Sequence, residues 1–342
     1  MLPKFHLLLQ LIKKRFQPKL NRISKLYTVC RSSFHKRLTQ GLGICVLALA
    51  TTPVNAALPS PPKVVASIKP IQLIAAAITD GISSPEVLLP PGSSPHHFAL
   101  KPSHIRQVTN ADLLIWVSPS LESFLPKLLE QKSPHSTLKL ISLPDITLLH
   151  DIHDHGDKED HANGHDKHLL DIDPHIWLGP DNVLVIAQHI MLKLSDMDKE
   201  RATLYQNNYL SFKHKLNDLN KTFKPQLQPD SLLPLVVFHN AYGYLEHYYQ
   251  LPVVDYVSAS PERMLGVKQV VSLREHLKSL GKSCLFVEPQ FNSAIVDNLV
   301  DELPVTIASL DPLASNITVK GDSYIVFLKQ ILTTVSQCKH NK

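Results

Sequence analysis

The first 56 residues contain no aspartate or glutamate, although ten lysines and arginines lie among them. The whole chain of 342 residues has a formal net charge of +5. Subtracting those ten from the 35 Lys/Arg leaves 25 against 30 Asp/Glu, so the net charge moves from +5 to −5. The basic balance belongs to the leading segment, and the pI of about 8.8 is no nucleic-acid footprint. Long apolar runs are also missing. The run from Gly41 to Ala50 falls short of the roughly 20 residues that a spanning helix needs. Apolar residues make up 44% and charged residues 19%, which excludes both a disordered chain and a multi-span membrane protein. Cysteine is scarce, with four in all and no Cys-x-x-Cys. That removes a dithiol redox centre and a thiolate metal site. No Walker sequence is present, so the chain does not itself hydrolyse ATP, and no His-Glu-x-x-His segment marks a metallopeptidase.

What the leading segment does contain is ordered like an export signal. His35, Lys36 and Arg37 precede the apolar run, and Val54-Asn55-Ala56 follows it with small residues at the cleavage positions. The expectation is a signal peptide cleaved after Ala56, with a retained membrane anchor as the rival. The stretch before residue 35 is long for such a signal and reads as an extended leader or an early gene start. Export carries the protein into oxidising surroundings. Cleavage leaves Cys284 and Cys338, whose pairing is the simple expectation and whose alternative is two free buried thiols.

Strand-like and helix-like patterns alternate through the remainder. Val64–Ile68, Glu86–Pro90, Ala111–Val117 and Leu138–Ile141 read as strands, with helices over 71–78, 102–109 and 121–130. The second half repeats the order. Leu235–Phe238, Val253–Val257, Cys284–Val287 and Val305–Ala308 read as strands, and helices fall over 241–250, 264–280, 291–303 and 321–337. Ala111–Val117 is almost wholly apolar, as suits a parallel sheet covered on both faces. The predicted class is α/β, two Rossmann-like (β/α) domains with a metal site in the cleft between them. Residues 57–180 form the first domain and 225–342 the second. Residues 181–224 contain no glycine and read as a rigid helical connection, with a break near Asp196 to Asp198.

Histidine is the abundant residue, at 19. His150, His153, His155, His161, His165 and His168 crowd into 150–168 with six interleaved acids. No apolar periodicity supports a core there, so the tract is expected to be a mobile accessory loop that gathers Zn²⁺. Four other residues stand apart. His96 follows the second strand, His175 precedes the connecting helix, His239 ends the strand at Phe238, and Asp311 follows the last strand. Each lies where open α/β sheets bind ligands. Alone, each also reads as a hydrogen-bonded core histidine or a turn-capping aspartate. Together they offer three imidazoles and a carboxylate, a set suited to tetrahedral Zn²⁺, whereas Mn²⁺ favours more oxygen donors.

These segments resemble the periplasmic zinc-binding components of bacterial zinc-uptake ABC transporters, a group of metal receptors that also includes manganese receptors and adhesin-like lipoproteins. The resemblance covers nearly all of 62–340. Ser67-Ile68-Lys69-Pro70, Leu89-Pro90-Pro91-Gly92 with His96, Pro174-His175-Ile176-Trp177-Leu178, Phe238-His239-Asn240-Ala241-Tyr242-Gly243-Tyr244, Glu288-Pro289-Gln290-Phe291 and Leu310-Asp311-Pro312-Leu313-Ala314 carry it. It implies ligands at His96, His175, His239 and Asp311, and a disulfide between Cys284 and Cys338. The manganese-type relatives have a carboxylate where His239 stands, so the chain resembles the zinc branch. The resemblance further implies Zn²⁺ as transported cargo, a periplasmic location, and a membrane permease with its cytoplasmic ATPase as partners. No enzymatic activity or nucleic-acid partner is expected, and a monomer is. Two departures stand out: Pro95 occupies a place where some zinc receptors have Glu, and His97 one where Asp is frequent. Glu288 is a further carboxylate near the strand ends, ranked as a support rather than a ligand. The competing readings are a zinc buffer or metal-dependent adhesin without a transporter, and a secreted zinc hydrolase.

Overall fold

The structure, a computed structural model, describes residues 58–150, 172–258, 266–289 and 293–340. The expected signal peptide and the accessory histidines from His153 to His168 lie outside the described residues. In the first half, β1 (Val64–Ala66), β2 (Glu86–Val87), β3 (Leu113–Trp116) and β4 (Thr137–Lys139) form one parallel sheet in the order β2-β1-β3-β4. β1 and β3 are fully buried, which is why their text is apolar without alternation. α1 (Lys69–Ile78) is buried from Pro70 to Ile78 because it packs against three other helices described below. Its Pro70 lies in the first turn, where the missing N–H costs nothing.

α2 (Pro102–Thr109) appears where the sequence predicts it. The helix read over 121–130 is shorter: only α3 (Pro126–Leu129) is helical. Leu125 caps it with backbone in the right-handed helical region, φ −87° and ψ −40°. The Glu122 carboxylate meanwhile turns back to accept the N–H groups of Val117 and Ser118, and the Ser67 hydroxyl. The fourth strand likewise ends at Lys139, and Leu140–Ser142 close a 3₁₀ turn.

The connecting region is two helices, α4 (Pro180–Met197) and α5 (Ala202–Phe223). They separate at Asp198, whose carboxylate accepts from Arg201 and from the Tyr205 hydroxyl. α5 has 22 residues and is about 33 Å long.

The second half repeats the first. β5 (Leu235–His239), β6 (Val253–Ser258), β7 (Ser283–Val287) and β8 (Val305–Ser309) pair in parallel in the order β6-β5-β7-β8. α6 (Gly243–Tyr249), α7 (Val267–Leu280) and α8 (Ser293–Val300) connect them. The last helix, α9 (Ser323–Ser336), buries Tyr324, Phe327, Leu328, Ile331, Leu332 and Val335 at helical spacing. α9 packs against α1 and α5, and α4 packs against α1 and α5 as well. Cys284 of β7 and Cys338 just beyond α9 are disulfide-bonded, with a Cα–Cα distance of 6.2 Å. Among the described residues no helix is long and apolar enough to cross a membrane.

Candidate metal centre

In both sheets the order changes direction beside the first strand, and the carboxyl edge there is the natural ligand site of such a fold. The chain leaves β2 through buried Leu88 and Leu89, whose N–H groups still bond to Ala66 and Ser67. It turns at Gly92, with φ +77°, a value glycine adopts without strain, and then reaches His96. His175 stands before the 3₁₀ turn Ile176–Leu178. Beneath that turn the Trp177 indole donates to the Pro312 carbonyl at 2.8 Å, and the Tyr324 hydroxyl donates to the Trp177 carbonyl at 2.7 Å. His239 is the last residue of β5 and is buried.

One ligand atom from each of His96, His175 and His239 lies within 4.8 Å of the other two. Ring centroids are 4.9 Å apart for His175 and His239, 5.7 Å for His96 and His175, and 6.0 Å for His96 and His239. The Asp173 carboxylate holds both the backbone N–H of His175, at 2.9 Å, and its Nδ1, at 2.7 Å. Glu288, immediately after β7, holds His239 Nδ1 at 3.0 Å. A carboxylate at Nδ1 fixes the proton there and leaves the Nε2 lone pair as donor, the arrangement of a supported metal-binding imidazole. Burial pushes the His175 pKa well below its usual 6.5, and the neighbouring His239 lowers it further. The imidazole is therefore neutral at physiological pH, as a metal ligand must be.

The supports are built in closely. A Cβ added at Gly243 would stand 2.9 Å from Asp173 Oδ2, so only glycine leaves that carboxylate its place. The Tyr244 hydroxyl donates to the Asp173 carbonyl at 2.8 Å and accepts the Leu149 N–H at 3.1 Å. The cavity beside the three rings is lined by Pro95, Trp177, Glu288, Pro312 and Leu313 as well as the histidines. Its volume is about 20 Å³, room for an ion with at most a water beside it and none for an organic substrate.

Among the described residues these three histidines are the group of side chains able to hold a metal. Asp311 lies outside that group. Its carboxylate accepts the N–H of Leu313 at 3.0 Å and of Ser315 at 2.6 Å, while the turn it caps supplies Pro312 and Leu313 to the cavity wall. His97 is exposed and also stands outside the group. His150 forms a β-bridge with Ile172 at the root of the histidine tract. The role of Asp173 was not read from the sequence. A carboxylate two residues before a candidate ligand, in Asp173-Pro174-His175, was the available signal.

Residues 64–338 match the family model described as the periplasmic zinc-uptake complex component A, ZnuA. The high-affinity zinc uptake system protein ZnuA of Yersinia pestis is 34% identical over 316 residues, covering 89% of this chain and 98% of that protein. The protein of the same name from Haemophilus ducreyi is 34% identical over 289 residues, covering 80% of this chain and 92% of its own length. In fold, the chain is similar to a crystal structure of ZnuA with a TM-score of 0.68 at 23% identity, over 82% of this chain and all of that one. With a family match across both sheets and relatives aligned over nearly their whole length, the chain belongs to the ZnuA family of periplasmic zinc-uptake components.

Proposed function

We propose that this chain captures Zn²⁺ in the periplasm through His96, His175 and His239, with Asp311 as the oxygen donor, and delivers it as a monomer to the permease of an ABC importer. A cytoplasmic ATPase drives that permease. Membership of the family sets the chain among transport receptors and not among enzymes. The observation that carries the site is the meeting of three imidazoles within 4.8 Å, two of them held at Nδ1 by buried carboxylates. Three nitrogens and one oxygen suit tetrahedral Zn²⁺, and a closed four-ligand set leaves no open position for hydrolysis. The His/Asp-rich tract from His150 to His168 acts as an accessory collector that raises the local zinc supply without forming the principal site.

Competitive titration of metal-stripped protein against a chelator tests this reading. Wild type and a variant lacking 150–168 should each keep one tight zinc. His239→Ala should lose affinity by more than the roughly 10–100-fold that removal of an outer support costs. Unchanged affinity in His239→Ala would remove that residue from the ligand set, and loss of tight binding with the tract alone would move the site into the tract.

A further inference from the structure

The hydroxyl of Tyr242 is buried and, among the described residues, makes no hydrogen bond. An unpaired buried phenol is uncommon, because its desolvation is normally offset by a partner. Tyr242 follows His239 by three residues and stands at the start of α6, with 3% of its surface exposed. The charged groups that act on it are the carboxylates of Glu288 and Asp311. Glu288 already accepts from His239 Nδ1. Asp311 is occupied by two N–H groups of its own turn and stands apart from the imidazoles.

We propose that Tyr242 is a positioning residue for metal capture: its hydroxyl donates to the Asp311 carboxylate when that carboxylate joins the three imidazoles. This rests on the reading of Asp311 as the oxygen donor. A carboxylate that gives one oxygen to a metal needs a donor for the other once it has left its backbone N–H partners. A phenol supplies that donor, and holding the second oxygen favours one-oxygen ligation and a four-coordinate site. A phenol, with an ordinary pKa of about 10, remains a donor wherever zinc binds. The hydroxyl is thus unpaired before capture and paired after it.

The test uses metal-stripped full chains of wild type, Tyr242→Phe, Asp311→Ala, the double variant and His239→Ala. Zinc affinity comes from chelator competition, and metal-free melting is followed in parallel. Tyr242→Phe should bind zinc about tenfold more weakly, while its metal-free melting temperature equals or exceeds that of wild type because an unpaired hydroxyl has been removed. In the Asp311→Ala background the same change should cost less than about twofold, as coupled residues do. Wild-type affinity in Tyr242→Phe overturns the proposal. So does a lower metal-free melting temperature, which marks a purely structural role, or a full tenfold loss in the Asp311→Ala background, which assigns the hydroxyl to another partner. Unchanged affinity in Asp311→Ala or in His239→Ala would instead overturn the ligand set itself.

Discussion

Asp173 holds His175 twice, at the backbone and at Nδ1, which makes it the support of a proposed ligand. Asp173→Ala should weaken zinc by roughly 10–100-fold while leaving one zinc bound, as chelator competition would show; an affinity within twofold of wild type would contradict the role. Glu122 is the other buried carboxylate of consequence. Burial raises its pKa from 4.5 to about 7, against hydrogen bonds from Ser67, Ser118 and Val117 that favour the ionised form. A pKa raised on folding contributes stability below the unfolded value that is lost as pH rises through the folded one. Between pH 4 and pH 8 the unfolding free energy of Glu122→Gln should therefore improve relative to wild type by about 3 kcal/mol; a difference independent of pH would contradict this. His175 has the opposite sign. Its lowered pKa means that the unfolded chain takes up the proton first, and stability falls as pH drops below 6.5. Only the difference between variants separates the two. At this scale the sequence displayed the three histidines and Glu288 as a carboxylate near them, and hid the role of Asp173. Spacing identifies residues at strand ends, but which carboxylate meets which Nδ1 depends on how loops cross the sheet edge.

Among the elements, β1, β3 and β5 were the most legible, because they are buried from end to end and their text is almost wholly apolar, whereas β2, β6 and β8 are partly exposed. Helix ends were less so. The helix read from Leu121 is confined to Pro126–Leu129, and the Glu122 carboxylate turns inward to the Val117 and Ser118 N–H groups instead. The partner of α9 was not legible either. An apolar face at Tyr324, Phe327, Leu328 and Ile331 announces burial but does not name what covers it, and α9 lies on α1 of the first half. Its approach is close enough that a Cβ at Gly321 would overlap the Asp80 carboxylate. The disulfide ties the end of this helix to the amino-terminal part of β7, whereas Glu288 and the metal centre lie past its carboxyl end. Replacing Cys284 and Cys338 with serine should lower the unfolding free energy by about 2–4 kcal/mol and shift zinc affinity by less than tenfold. Equal melting of oxidised and reduced wild type would contradict the structural role, and a large affinity loss would contradict the separation from the site.

For the whole molecule, two like-built parallel sheets present their carboxyl edges to one ion-sized cavity, bridged by α5 and fastened by α9. A molecule joined in this way is suited to closing on its cargo by local shifts of loops and turns, such as the turn that Asp311 caps. The same junction explains why zinc should stabilise the fold, since a ligand that binds only the native state shifts unfolding by mass action. All of this turns on the three-imidazole set. Zinc K-edge X-ray absorption on the one-to-one complex, with 150–168 removed so that the tract contributes nothing, tests it directly. Three imidazoles and one oxygen at about 2.0–2.2 Å are expected, falling to two imidazoles in His239→Ala. A first shell containing sulfur, or one that keeps its imidazole count in His239→Ala, would contradict it.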